Sequence, residues 1–259
     1  MRYTNPISKT FKFQKAWFFL QENIQHVMVS NIRRTGSASV YSVLDQRMRR
    51  GRVMVDDVWI GYPSSMSSIR PRTLWHGDVG YIFPTWGSHV ALNVQTGKKT
   101  GTWSTIGTSS RPATTVDFYS AWLKHSNISV PVSYTIVPGL SYKQFEAIRA
   151  TTLLQSVANT NSVSAVYQEK HRIAMVVFWS TTGGSVTFSP GAGQASITLS
   201  ANRNIAMIYR IGTRETTVSD PSQKLTSVDV TFRQGSTNRK LTIALPTGGR
   251  AGRSVTKTL

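Results

Sequence analysis

The side chains that could perform acid–base, nucleophilic or metal chemistry are few in this chain. Its 259 residues include eleven Asp and Glu, five His and no Cys. The lack of Cys excludes a disulfide framework, a thiolate zinc site and a cysteine nucleophile. The His residues show neither the HExxH nor the HxH spacing of metal sites, and no GxSxG nucleophile motif occurs. We therefore expect no metal and no other cofactor.

The remaining candidates for catalysis are short groups of charged residues. Asp56 and Asp57 are predicted on one strand, where neighbours point to opposite faces and cannot form the carboxylate pair of a glycosidase. His76 could act as a base oriented by Asp78, although a turn held by Asp78 is the favoured interpretation. The segment 97–100, GKKT, lacks the glycine-rich start of a P-loop and is predicted to be a hairpin turn. The residues alone predict no catalytic site.

The charge of the chain predicts a polyanionic partner. Thirty Lys and Arg residues give a formal net charge of +19, which favours contact with nucleic acid, an anionic membrane or an acidic polysaccharide. The densest basic groups are Arg33 with Arg34, the stretch 47–52, and Arg70 with Arg72. The sequence does not identify substrate-binding residues among them.

Tryptophan side chains could stack on sugar rings, but the apolar neighbours of most of them favour positions in the core. The seven are Trp17, Trp59, Trp75, Trp86, Trp103, Trp122 and Trp179.

The elements that would position these residues are predominantly strands. Short β-branched and aromatic runs, such as 40–44, 53–55 and 132–137, alternate with Gly and polar residues. Such spacing predicts a large antiparallel sheet system, a sandwich or barrel. No apolar run approaches the roughly 20 residues of a membrane span, and the N-terminus does not have the pattern of a signal peptide.

One helix is predicted, over residues 141–154. Ser141 is its N-cap candidate, and Phe145, Ile148, Leu153 and Leu154 would share one face. A polar stretch at 159–162 follows, and a second strand-rich region begins there. We therefore predict a domain boundary near residue 158.

Four ordered segments together resemble polysaccharide lyase family 8, whose members degrade hyaluronate, chondroitin and xanthan. The first is KAWFF at 15–19 with NI at 31–32 and LDQR at 44–47, similar to the family's KSWF…ENR stretch. The second is WHGDVGYIFP at 75–84. The third joins GTWSTIG at 101–107 to YTIVPG at 134–139. The fourth is VSDPSQ at 218–223, similar to the family's SDPTQ turn, with LP at 245–246 and GGRAG at 248–252 resembling the closing strand and loop.

The resemblance implies that residues 1–158 are the later part of a central β supersandwich and residues 159–259 a C-terminal β-sandwich. It implies β-elimination on uronate polymers: a proton leaves C5 and the bond at C4 breaks. In the family an Asn, a His, a Tyr and an Arg carry out this step on an N-terminal helical toroid. No position here matches their motifs, so neither His76 nor Tyr81 is assigned to those roles.

By this resemblance the chain is expected to be a fragment of an extracellular enzyme. On its own it would bind or support acidic polysaccharide (hyaluronate, chondroitin, xanthan or glucuronan) without cleaving it, since the toroid domain would lie before Met1. Two alternatives remain open. One is a basic β-sandwich that binds nucleic acid, such as a capsid protein, which the charge would also suit. The other is a non-catalytic carbohydrate-binding module.

Overall fold

The protein, seen in a computed structural model that describes residues 1–84, 87–149 and 154–258, is built almost entirely of strands. In chain order these are β1 (Arg2–Thr4), β2 (Phe11–Phe19), β3 (Gln25–Arg34), β4 (Val40–Met48), β5 (Val53–Val55), β6 (Val58–Trp59), β7 (Ser64–Ser68), β8 (Thr73–His76), β9 (Val79–Ile82), β10 (Val90–Gly101), β11 (Thr114–His125), β12 (Val132–Pro138), β13 (Leu154–Asn159), β14 (Val163–Gln168), β15 (Ile173–Phe178), β16 (Gly184–Phe188), β17 (Ile197–Ala201), β18 (Ala206–Arg210), β19 (Glu215–Ser219), β20 (Ser227–Gln234), β21 (Thr237–Ala244) and β22 (Val255–Thr258).

Helical structure is limited to α1 (Tyr142–Arg149) and two single 3₁₀ turns, Trp103–Thr105 and Gly248–Arg250, within the described residues. The strand pairings are antiparallel. The predicted all-β, antiparallel class is therefore confirmed. No helix in the described ranges is both long and apolar enough to cross a membrane.

The chain divides into two compact units, each assembled from separate stretches of sequence. The first comprises Met1–Arg33, Pro131–Ser133 and Thr151–Leu259, and the second Arg34–Val130 and Tyr134–Ala150.

The first unit contains a β-sandwich. A six-stranded sheet, in the order β13-β14-β15-β18-β19-β22, faces a four-stranded sheet, β16-β17-β20-β21. Alternate residues of both sheets point inward and form one core that includes Tyr167, Phe178, Leu199 and Phe232. Strand β2 and the turn after it pack on this unit through a smaller apolar cluster that contains Phe18 and Trp179.

In the second unit, strands β4, β11, β10 and β7 form a sheet in that order, and β9, β8, β5 and β6 form the adjacent strands of another. The long hairpin β10–β11 keeps a regular register over twelve residue pairs, from Val90↔His125 to Gly101↔Thr114. Its inward residues, among them Leu92 and Tyr119, are completely buried.

Helix α1 docks on the second unit through one aromatic side chain. Ser141 caps the helix as predicted, because its hydroxyl and amide both contact Gln144 in a capping box. The Phe145 ring is 0% exposed and lies directly over Gly80, so that a Cβ built on Gly80 would be 2.2 Å from the ring. Glycine at position 80 is therefore a packing requirement of the helix.

Three local predictions are wrong. The segment 97–100 lies inside β10, because Gly97 pairs with Phe118 in the middle of the hairpin rather than at its end. Asp56 and Asp57 form the turn between β5 and β6, both with positive φ, which Asp tolerates well. Leu154, predicted to be the last residue of the helix, lies in strand β13 instead. Leu153 lies outside the described residues.

A buried carboxylate organises the turn that follows β19. Asp220 is 2% exposed. One oxygen accepts hydrogen bonds from the Ser222 amide (2.8 Å) and hydroxyl (2.6 Å), and the other accepts from the amides of Lys224 (2.7 Å) and Leu225 (2.8 Å). Burial would raise the pKa of Asp220, but these four donors outweigh it and the pKa lies below its ordinary value.

Candidate functional site

His76 and Asp78, the possible base and its orienter, have separate structural roles. The His76 ring is buried, with Nε2 accepting from the Arg50 amide at 2.9 Å and its centroid 3.9 Å from that of Tyr119. Asp78 has φ +65° in the turn between β8 and β9, and its carbonyl accepts from the Gly139 amide at 2.7 Å. No pair forms, and the turn interpretation agrees with the geometry.

The groups around His76 form a partly buried polar cluster in the second unit. The pKa of His76 is lowered to about 4, mainly by burial and to a lesser extent by the positive charges of Arg47 and Arg49. Burial also raises the pKa of Asp45, whose Oδ2 lies 2.9 Å from Arg47 Nε. The Tyr81 hydroxyl donates to the Leu44 carbonyl at 3.1 Å. This cluster is titratable, but its members are held by protein partners and none of them lines a described pocket.

The two neighbouring carboxylates at the β5–β6 turn also act separately. Asp56 Oδ1 accepts from the amides of Arg72 (2.7 Å) and Thr73 (2.8 Å). Asp57 forms a bidentate pair with Arg149, at 2.5 and 2.8 Å, and accepts from the Tyr142 hydroxyl at 2.7 Å. The hydrogen bond from Arg149 is the main cause of the lowered pKa of Asp57. The pair fixes α1 rather than a substrate.

Most of the arginines singled out from the sequence are solvent-exposed, except that Arg47 and Arg49 are half-buried. Arg33 Nε donates to the Asn31 side chain at 3.3 Å, and the side chains of Arg70 and Arg72 lie on the surface of the second unit. They contribute positive charge at the surface and line none of the described pockets.

A surface with the chemistry of a ligand site lies along β2 in the first unit. Alternation buries Ala16 and Phe18 and turns Lys15, Trp17 and Phe19 outward. Trp17 is 40% exposed and Phe19 67% exposed. Lys15 Nζ lies 4.8 Å from the centroid of the Trp17 ring, a cation–π distance, and burial lowers the pKa of this lysine. We call Lys15, Trp17 and Phe19 the β2 aromatic face.

A pocket of about 770 Å³ adjoins the β2 aromatic face and is lined by Trp17, Phe19, Arg2 and Trp179 among others. The Trp179 ring is held in place because its indole N–H donates to Ser164 Oγ at 2.9 Å. Arg2 lies 6.0 Å from the centroid of that ring. No acidic side chain is among the described residues that line this pocket. An aromatic face can stack on a hydroxylated ring, and a cation beside it can pair with a negative charge on that ring.

A second group of aromatic rings paired with cationic side chains lies in the second unit. The Arg49 guanidinium is 4.2 Å from the centroid of Tyr62, and the Arg52 guanidinium is 5.4 Å from that of Trp59, which is 50% exposed. Arg49 also binds Asp117 with an Nη2–Oδ2 distance of 2.8 Å, and its hydrogen bond is the main cause of the lowered pKa of Asp117. We call Arg49, Arg52, Trp59 and Tyr62 the Arg–aromatic loop.

These exposed aromatic residues were not predicted, because the apolar neighbours of most tryptophans favoured positions in the core. Trp17, Trp59 and Trp103 are 40–51% exposed, and Trp86 lies outside the described residues. The exposure of Trp17 could have been predicted, because Trp17 alternates with the small or apolar residues Ala16 and Phe18 and follows a lysine. The exposure of Trp59 and Trp103 depends on turns that periodicity does not resolve.

The β2 aromatic face and the Arg–aromatic loop both place aromatic rings beside cationic side chains. Within the described ranges, no three His, Asp or Glu side chains come together as metal ligands would. No His, Tyr, Asp or Glu side chain is among the described residues that line the pocket beside the β2 aromatic face.

Comparison with known families identifies two matching models. Residues 1–149 match polysaccharide lyase family 8, super-sandwich domain, and residues 157–229 match polysaccharide lyase family 8, C-terminal β-sandwich domain.

Two curated relatives extend the similarity over most of the chain. Chondroitinase-AC of Pedobacter heparinus is 25% identical over 236 residues, which cover 87% of this chain and 32% of that protein. Hyaluronate lyase HylB of Enterococcus faecalis is 23% identical over 224 residues, 81% of this chain and 21% of that protein. The chain thus spans at most about a third of the length of these relatives.

Solved structures agree on the fold. A chondroitinase AC lyase, known in complexes with oligosaccharides, superposes with a TM-score of 0.86 at 20% identity, covering 99% of this chain and 37% of that one. A Paenibacillus xanthan lyase gives 0.82 at 16% identity, covering 99% and 27%. At such identities the likeness concerns the fold alone.

Proposed function

Because this chain belongs to polysaccharide lyase family 8, we propose that it is the C-terminal β portion of an enzyme that cleaves uronate-containing polysaccharide by β-elimination. In that reaction the C5 proton is removed and the C4–oxygen bond breaks, which leaves an unsaturated sugar. This portion binds acidic polysaccharide and supports the cleaving part without cleaving the polymer itself. Its partner in catalysis is a helical toroid domain that precedes it in the whole enzyme, which acts outside the cell.

The observation that carries this proposal is the β2 aromatic face and its pocket. Exposed Trp17 and Phe19 offer rings for stacking on pyranoses, and Lys15 and Arg2 offer charge for carboxylate or sulfate groups. The net charge of +19 favours the approach of a polyanion at low salt. We also propose that the boundary between the two domains of this portion lies near residue 158.

The proposal that this portion binds the polymer without cleaving it rests on the residues that the portion contains. The family's Asn, His, Tyr and Arg have no counterparts by motif in this sequence. His76 and Tyr81 are buried, and each makes a hydrogen bond with a backbone group. The relatives are three to five times longer than the part that matches, which leaves room for the catalytic domain.

The test is binding and turnover by the purified chain. We expect chondroitin sulfate and hyaluronate oligosaccharides to bind in calorimetry, with an affinity that falls as salt rises, and no growth of the ultraviolet absorbance of an unsaturated product. Trp17→Ala should weaken binding about tenfold, a typical loss for an aromatic anchor, and Trp17→Phe should retain most of it. Lys15→Ala should weaken binding several-fold.

The matched control is Lys12→Ala, which removes the same charge from the other face of β2. Turnover by the chain would refute the assignment of cleavage to another domain. Equal losses from Lys12→Ala and Lys15→Ala would refute the β2 aromatic face as the site. Tighter binding to single-stranded DNA than to the oligosaccharides would favour the nucleic-acid alternative.

A further inference from the structure

The end of the β10–β11 hairpin forms a separate pocket in the second unit. Strand β4 reaches β11 only as far as Phe118, and β7 pairs with β10 only from Leu92 to Thr96. Residues 99–101 and 114–116 of the hairpin therefore pair only with each other. The loop that joins them folds back over one face of this projecting end.

The pocket between the loop and the hairpin has a volume of about 360 Å³. Its floor is the hairpin face that carries Lys99, Gly101 and Phe118, and its wall is the loop with Trp103 and Ile106. Trp103 is 51% exposed and Ile106 80% exposed. A concave site lined by aromatic and apolar side chains together with a few polar groups has the composition of a ligand pocket.

Hydrogen bonds within the loop order the backbone that carries Trp103. Thr105 donates to the Thr102 carbonyl from its hydroxyl (2.6 Å) and its amide (3.2 Å). The Ile106 amide donates to the Trp103 carbonyl at 3.2 Å, which closes the 3₁₀ turn. A wall that is already ordered loses less conformational entropy on binding.

The polar groups of the pocket identify the class of ligand. Of the threonines that line it, Thr102 and Thr114 offer hydroxyls that both donate and accept. The Thr100 hydroxyl bonds Thr115 on the opposite hairpin face, and the Thr105 hydroxyl donates to the Thr102 carbonyl. Every charged residue from 98 to 116 is basic, namely Lys98, Lys99 and Arg111. An aromatic ring, hydroxyls and a cation without an acid match a sugar unit with a carboxylate or sulfate, and they do not match a neutral sugar or a basic peptide.

We propose that this pocket binds one anionic sugar unit of an acidic polysaccharide, with the ring on Trp103 and the anionic group at Lys99. The inference rests on the proposed function for the class of polymer, but it adds a contact point on the second unit that is independent of the β2 aromatic face. Two such points on one chain would increase its avidity for a long polymer.

Gly101 offers a test that removes no binding group. It lies on the same hairpin face as Lys99, and a Cβ built there meets no atom within 4 Å. Gly101→Val should therefore fold normally, since Val suits a strand, and should fill the pocket. Lys98→Ala is the matched control for Lys99→Ala, because Lys98 points to the opposite face, beside Asp117.

The readout is the set of indole N–H signals in NMR spectra, titrated with a chondroitin sulfate tetrasaccharide and, as a neutral control, cellotetraose. Trp103→Phe and Trp17→Phe assign the two signals of interest. We expect the tetrasaccharide, but not cellotetraose, to move the Trp103 signal. Gly101→Val should weaken this response about tenfold or more, Lys99→Ala about three- to tenfold, and Lys98→Ala less than twofold.

The outcomes separate this inference from the proposed function. A Trp103 signal that stays fixed while the Trp17 signal moves would overturn the inference alone. Movement of the Trp103 signal alone would support the pocket and count against the β2 aromatic face. Fixed signals for both would refute the two together. If Gly101→Val instead abolished a dimer detected by light scattering, the pocket would be a contact between copies of the chain and the inference would be wrong.

Discussion

Replacing Gly80 with Ala should destabilise the second unit by forcing Phe145 away from the sheet. The added Cβ would lie 2.2 Å from Phe145 Cδ2 and 2.3 Å from Cε2, whereas ordinary contacts begin near 3.4 Å. The ring must therefore retreat by more than 1 Å, and Phe145 is completely buried. Overpacking of this kind costs about 1–3 kcal/mol, against roughly 0.5–1 kcal/mol gained by removing a glycine from a strand. We expect a net loss of about 1–2 kcal/mol and a melting temperature lower by several degrees.

The double variant isolates the contact from general effects of the substitution. In a Phe145→Leu background the ring is absent, so Gly80→Ala should be neutral or stabilising. Equilibrium unfolding in urea of the wild type, both single variants and the double variant gives the coupling free energy, which should reach about 1 kcal/mol or more. Additive free energies, or a more stable Gly80→Ala single variant, would refute the packing explanation of this glycine.

Two further predictions concern buried ionisable groups. Asp220→Asn replaces an acceptor of four hydrogen bonds by an amide that presents its own donors, and should cost about 3 kcal/mol in urea unfolding; an effect below 1 kcal/mol would contradict the assigned role. Burial lowers the pKa of His26, His76 and His125 to about 4, below about 6.5 in the unfolded chain. Between these two pKa values the unfolded state therefore binds more protons than the folded state. The free energy of unfolding should fall as the pH drops from 6.5 towards 4, by up to about 4 kcal/mol per pH unit when all three histidines contribute. His125→Gln should flatten the pH dependence measured from urea midpoints, and an unchanged slope would argue against it.

Much of the strand framework was predictable because burial on one face leaves an alternating pattern in the sequence. Strand β5 has the predicted bounds, and β12 extends one residue beyond the predicted 132–137. The edge strand β7 was missed, since its sequence SSMSS is polar on both faces. Strand β13 was not predicted at its first residue, because Leu153 and Leu154 also suit a helix. Short polar or ambiguous runs become strands only when a partner strand supplies the hydrogen bonds.

The amino-acid sequence by itself determined the antiparallel all-β class, the positive charge and the family, since each depends on residue types in order along the chain. Except at Trp17, where alternation along the strand is informative, the tertiary structure alone decided which aromatic side chains are open to a ligand. Trp103 is exposed because its hairpin extends beyond its neighbouring strands, while Trp179 is covered by residues distant in sequence. Exposure is a property of the space around a side chain, and residues far apart along the chain define that space.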